Sequence, residues 1–118
     1  MSQARLSVSQ CTTAEGVHVI TLAGAIDHTT AGAFHQALTL PPDSVPHAVI
    51  DFHDVTFMDS SGINVLVAAN NVVRARGGAL RLAAAPTRVL ELLRIVGLDA
   101  LLPLHPTLQD ALAPTSAA

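Results

Sequence analysis

Aromatic residues are scarce: three Phe, no Tyr and no Trp in 118 residues. Proteins that grip single-stranded nucleic acid normally stack bases on such rings, so that class loses ground at once. Lysine is missing as well, since all six cations are Arg. No run of them is dense enough to follow a phosphate backbone, and no nucleic-acid partner is expected. The tightest cluster, Arg74, Arg76 and Arg81, is split by Gly77-Gly78 and reads as a solvated rim. A single cysteine, Cys11, excludes an intrachain disulfide and fits a reducing compartment. It reads as a small apolar side chain or an idle thiol. No stretch reaches the ~18 uninterrupted apolar residues of a membrane span. The opening MSQARLSVSQ has no apolar run of signal-peptide length either. The expectation is a cytoplasmic protein without membrane insertion.

What the chain does have is apolar content: 50% of residues are hydrophobic and 13% charged, which excludes disorder as its main character. The length suits one domain, and roughly 65% of the unfolded chain's surface can be buried without a metal or disulfide. Charge is unevenly placed. Residues 1–60 carry one Arg and six acids (1 − 6 = −5), and residues 61–118 carry five Arg and three acids (5 − 3 = +2). The six His are dispersed. His28 and His35 would share a helix face about 10 Å apart, too far to hold one ion. Asp51, Asp54 and Asp59 are a poor magnesium set, because Asp51 falls within a strand and faces away from the others. No metal and no cofactor are expected.

Periodicity divides the chain into elements. RLSVSQC alternates like an edge strand, and GVHVITLAG follows the Glu15-Gly16 turn as its hairpin partner. In AIDHTTAGAFHQALTL the spacing turns helical: Ala33, Phe34, Ala37 and Leu38 form one stripe, Asp27 or Thr29 caps the start, and Pro41-Pro42 stop it. HAVIDFH is a strand covered on both faces. A helix over 60–76 ends at Gly77-Gly78, and ALRLAAA is the next strand. Pro86 opens a helix through TRVLELLRIV that Gly97 closes. LLPLH is a weak last strand, and Thr107 caps a short helix, LQDALA. The order β-β-α-β-α-β-α-β-α implies a single α/β domain over residues 1–113. Its mixed, mainly parallel sheet has helices packed on it, and residues 114–118 form a frayed tail.

The stretch that asks for more than a structural account is VTFMDSSGINVLVAANNVVRARGG. A helix N-terminus favours Asp and Ser because its first backbone N–H groups lack partners. If Asp59 or Ser60 is the cap, Ser61 falls in the first turn, with its hydroxyl near the surface beyond the end of a strand. That is where α/β sheets place their working groups. A phosphate on Ser61 would meet a positive helix end. It would also set nearly two negative charges beside Asp59, on a surface that a partner would otherwise cover.

The stretch from VTFMDSSG through LRLAAAPTRVLELLRIVGLDALLPLHPTLQDAL, with LAGAIDHTTAGAF before it, resembles the anti-sigma factor antagonist family, bacterial members of the STAS fold. The resemblance spans about residues 17–112. It implies a regulator: the serine before the glycine, here Ser61, is phosphorylated by a partner that is both anti-sigma factor and ATP-dependent serine kinase. The unphosphorylated form binds that partner and frees a sigma factor, and a metal-dependent serine phosphatase resets the switch. By the same resemblance Asp59 and Ser60 shape the loop, and Asp27 matches the aspartate of a neighbouring partner-contact loop. Two positions depart from the family's pattern: Ala25 stands where many relatives have Glu, and Asn64 where many have Gly. Both bear on which partner is recognised.

On a helical wheel Ile63, Leu66, Ala69 and Val73 face the core. Ser61, Val65, Ala68 and Val72 form a second stripe that either borders the partner interface or packs on an adjacent helix. The expected contact surface is Asp27, Asp59, Ser60, Ser61, Gly62, Asn64, Val65 and Val72. No enzyme is expected, because the chain has no Gly-x-Ser-x-Gly elbow. The competing reading is an unphosphorylated STAS subunit that docks on a transporter ATPase.

Overall fold

The uncharged alternation of LSVSQCT and the nearly continuous apolar run HVITLAGAI pair as an antiparallel hairpin, β1 (Leu6–Thr12) and β2 (His18–Ile26). The structure is a computed structural model that describes residues 6–39 and 47–113. Next come α1 (Ala31–Ala37), β3 (His47–Met58), α2 (Ser60–Ala75), β4 (Ala79–Ala83), α3 (Thr87–Ile95), β5 (Leu104–His105) and α4 (Leu108–Leu112). A 3-10 turn over Leu98–Ala100 joins α3 to β5. The sheet runs β1-β2-β3-β4-β5, antiparallel at the first pair and parallel at the rest. This is the mixed, mainly parallel α/β domain expected from the element order.

Alternation within the strands sorts residues to the two faces of the sheet. Ile20, Leu22, Ile50, Phe52, Leu80 and Leu82 point to one face, where Phe34 of α1, Leu66 of α2 and Leu93 of α3 complete the main core. Phe34 and Phe52 meet edge-to-face with ring centroids 6.3 Å apart, a favoured aromatic geometry. On the other face Val49 and Ala83 pack with Ala111 of α4, flanked by Val17, Leu108 and Leu112.

Several boundaries differ from the sequence reading, among them β4, which ends at Ala83, and β5, which covers only Leu104–His105 of LLPLH. β2 continues to Ile26, so the helix that follows starts later, at Ala31. His28 therefore lies in the intervening turn and shares no helix face with His35. Pro41-Pro42 and the tail after Ala113 lie outside the described residues. β3 runs to Met58 and not only through HAVIDFH, because register shifts against β2 absorb the polar residues 53–54 and return Val55 and Met58 to the core. Bulges of this kind let a strand survive a break in alternation.

The stops after α2 and α3 and the cap of α4 are as expected, whereas the N-cap of α1 is Thr30, without a side-chain cap bond, and neither Asp27 nor Thr29 takes that position. Gly77 has φ +83°, its N–H donates to Arg74 O at 3.0 Å, and Gly78 N–H donates to Val73 O at 2.9 Å. Together these bonds form a Schellman motif. Gly97, at φ +80°, follows α3 and its N–H donates to Arg94 O at 3.1 Å. The Thr107 hydroxyl accepts from Asp110 N–H at 3.0 Å and caps α4.

Candidate functional site

The ends of β2 and β3 bring the candidate loops together. Ile26 and Met58 are register partners, so Asp27 and Asp59 each begin a connection one residue later. The second loop is tied to the first strand, because Asp59 N–H donates to Ile26 O at 3.1 Å. The site thus lies beyond the carboxyl ends of two adjacent parallel strands.

Asp59 is the cap of α2. Its carboxylate accepts from Ser61 N–H at 2.8 Å, while its own carbonyl accepts from Gly62 N–H at 3.0 Å. Sequence left the cap open between Asp59 and Ser60; the geometry selects Asp59. Ser60 is therefore free at the surface, and Ser61 is half-buried in the first turn. Among the described residues neither hydroxyl has a protein hydrogen-bond partner. A serine nucleophile needs a base within hydrogen-bond reach, and neither serine has one. Replacing Asp59 with Ala should cost about 1 kcal/mol of stability, the usual worth of such a cap. Urea denaturation of the purified variant measures it.

Gly62 is buried, and the reason is close packing. A Cβ built there would lie 2.6 Å from Met58 Cγ, 2.7 Å from Met58 Sδ and 2.9 Å from Ile26 Cγ2. The glycine lets α2 start directly above the paired ends of β2 and β3. Its place is beneath the surface, supporting Ser61, rather than on it.

The Asp27 loop is a closed hydrogen-bonded turn. One carboxylate oxygen, Oδ1, accepts from the Thr29 hydroxyl at 2.6 Å, Thr29 N–H at 2.8 Å and Thr30 N–H at 3.2 Å. The Thr30 hydroxyl accepts from Asp27 N–H at 2.9 Å and donates to Ala25 O at 2.8 Å. Of the two caps considered, Asp27 is the one whose carboxylate holds the turn before α1. Thr30 is a residue that the sequence reading missed, although its three-residue spacing from Asp27 is a recognisable turn and cap pattern.

The Thr29 hydroxyl, then the Thr29 amide, the Thr30 amide and His28, hold the Asp27 carboxyl below its ordinary value of 3.8, against a smaller opposing effect of burial. A depressed carboxylate contributes stability that is present above the unfolded pKa and is lost as pH falls through the folded one. The midpoint of the Thr29 and Thr30 amide shifts should thus fall below the ordinary carboxylate range of ~3.9. An NMR pH titration reads this directly.

The second stripe of α2 does not act as one surface. Val65 is 8% exposed and belongs to the main core, whereas Val72 is 57% exposed. Val72 is eleven residues beyond Ser61, about 16 Å along the helix. There it lines a shallow groove with His35, Leu38 and Arg76. Asn64 is exposed one turn above Ser61. The exposed set around Ser61 is therefore Ser60 and Asn64, with Asp27 and Asp59 half-exposed beside it. Val72→Asp should leave stability within ~0.5 kcal/mol of the parent, which thermal unfolding checks.

Phe57 is a second residue that sequence reasoning passed over. It is 49% exposed, unlike Phe34 and Phe52, and pairs in register with Ala25 at the lip of the site. Among the described residues no three His, Cys, Asp or Glu converge on a metal position. Among the described residues no helix is long and apolar enough to cross a membrane.

The family model of the STAS domain matches residues 9–111. The chain belongs to the STAS domain family. Among curated relatives, the anti-sigma-B factor antagonist of Bacillus subtilis (strain 168) is 32% identical over 79 residues, covering 67% of this chain and 72% of that protein. Among solved structures, an anti-sigma factor antagonist from Mycobacterium paratuberculosis superposes with a TM-score of 0.81 at 30% identity, covering 92% of each chain. A sulfate transporter family protein from Wolinella succinogenes shares the fold at a TM-score of 0.74 and 18% identity, covering 87% of this chain and 86% of that one.

Proposed function

We propose that this chain is an anti-sigma factor antagonist whose binding is switched off by phosphorylation of Ser61. The observation that carries the reading is a serine in the first turn of α2, its hydroxyl unpaired among the described residues, beside a capping Asp59 and the closed Asp27 turn. The similarity to named anti-sigma factor antagonists supports the regulatory class. The unphosphorylated protein binds an anti-sigma factor with serine kinase activity and so releases a sigma factor. That kinase transfers the γ-phosphoryl group of ATP to Ser61 Oγ, which loses its proton as ADP leaves. A metal-dependent serine phosphatase reverses the step.

The added phosphate carries about −1.5 to −2 charges. The Asp59 carboxylate already occupies Ser61 N–H, so the phosphate gains less from the helix end than it would at an uncapped one. It also meets a like charge. The binding surface is disrupted while the buried packing of Gly62, Met58 and Ile26 beneath it is left alone. The protein itself supplies no catalytic group.

Incubation with the candidate kinase, ATP and magnesium, followed by mass mapping, tests the assignment. A single phosphate on Ser61 is expected. A phosphate on Ser60 alone would overturn the choice of acceptor. With no label on either serine, the reading as a subunit docked on a transporter ATPase takes precedence.

A further inference from the structure

The opposite end of the sheet holds a cavity of about 480 Å³. It lies at the start of β3, so eleven residues of strand, roughly 35 Å, separate it from the Ser61 end. Its apolar wall is Val17, Val49 and Leu112, while Glu15 and His47 stand at its exposed rim. Arg81 reaches it from β4. In that strand Leu80 and Leu82 face the main core, and Arg81 faces the α4 side next to its register partner Val49. The guanidinium is partly buried and donates from Nη1 to Ala111 O at 3.0 Å. Among the described residues no carboxylate pairs with it.

A guanidinium has five N–H donors in a planar fork, and one bond to a carbonyl leaves most of them unused. A partly buried cation without a counter-charge is costly unless an anion completes it. The volume lies within the range of small-molecule sites, which combine an apolar lining with a few placed polar groups. Glu15 does not offset Arg81, because it sits on the exposed β1–β2 turn where solvent and salt screen its charge.

We propose that this cavity is a binding site for a small amphipathic anion. Its carboxylate or phosphate engages Arg81, and its apolar body lies against Val17, Val49 and Leu112. The site is independent of the Ser61 switch.

Titration of the full-length protein with octanoate, octyl phosphate and 1-octanol, read by amide chemical shifts, tests it. Saturable shifts at Val17, Val49 and Arg81 are expected for the two anions, with 1-octanol weaker by about tenfold or more. The tighter of the two anions identifies the preferred head group. Arg81→Gln should remove the difference between octanoate and 1-octanol. Ala79→Leu, which fills the cavity wall while keeping Arg81, should weaken all three probes by at least about tenfold. The proposal is overturned if 1-octanol binds the parent as tightly as octanoate. It is equally overturned if the shifts centre on the exposed Ile95 and Leu101, or if none saturates by about 10 mM.

Discussion

Ser61→Glu is expected to fold like the parent and to lose the anti-sigma partner. A carboxylate in the first turn of a helix is tolerated or mildly stabilising, so thermal unfolding should shift by less than ~0.5 kcal/mol. The interface effect is far larger. The new charge lies beside Asp59, whose carboxylate already takes Ser61 N–H. An uncompensated charge covered by a partner costs about 2–5 kcal/mol, equivalent to a ~30-fold to several-thousand-fold loss of affinity. Ser61→Ala should bind like the unphosphorylated parent, resist the kinase and leave sigma-dependent transcription constitutively on. Ser60→Ala is the internal control and should still accept phosphate on Ser61. Calorimetric titration of each variant with the same partner separates these outcomes. Equal affinity of Ser61→Glu and parent would remove charge as the basis of switching.

Gly62→Val should be the most damaging small substitution near the site. Its Cβ would come within 3 Å of both Met58 and Ile26, which are buried and paired at the ends of β3 and β2. Either the side chains leave their packed positions or the start of α2 lifts away from the sheet. Overpacking of this kind costs about 1–3 kcal/mol, and the branched Val side chain puts the expected loss at the upper end. Gly62→Ala should lose less, because alanine recovers about 1 kcal/mol of helix propensity. Met58→Ala should rescue part of the Gly62→Ala loss, since it vacates two of the three close contacts. Urea denaturation of the two single variants and the double variant gives the coupling. Strict additivity would show that the glycine is not held by Met58.

Most of the fold was legible because its signals are local. Gly77 and Gly97 end helices by the positive φ they adopt, Thr107 caps α4 with its hydroxyl, and the α2 core stripe is a plain 3.6-residue period. The misplaced boundaries fall where a tertiary contact overrides local pattern. β3 passes through a polar interruption because β2 beside it tolerates register shifts, and β2 outlasts its alternation for the same reason.

The site was legible as a set of residue types but not as a surface. Asp59, Ser60 and Ser61 could be placed from capping alone. That Asp27 adjoins them depends on Ile26 pairing with Met58, a long-range register that no short window contains. Val65 and Val72 share a wheel position to within a few tens of degrees, yet one is buried and the other exposed. The wheel records direction and leaves out what stands opposite each turn. Gly62 reads as a motif glycine in sequence, and only the Met58 and Ile26 contacts explain it.

The most direct measurement of the switch is a pair of titrations. The same anti-sigma kinase, held with a non-hydrolysable ATP analogue, is titrated with this protein unphosphorylated and stoichiometrically phosphorylated on Ser61. The account predicts tight binding by the first and at least ~30-fold weaker binding by the second, with matching thermal stability of the two forms. Equal affinities, or a phosphorylated form that binds more tightly, would contradict it.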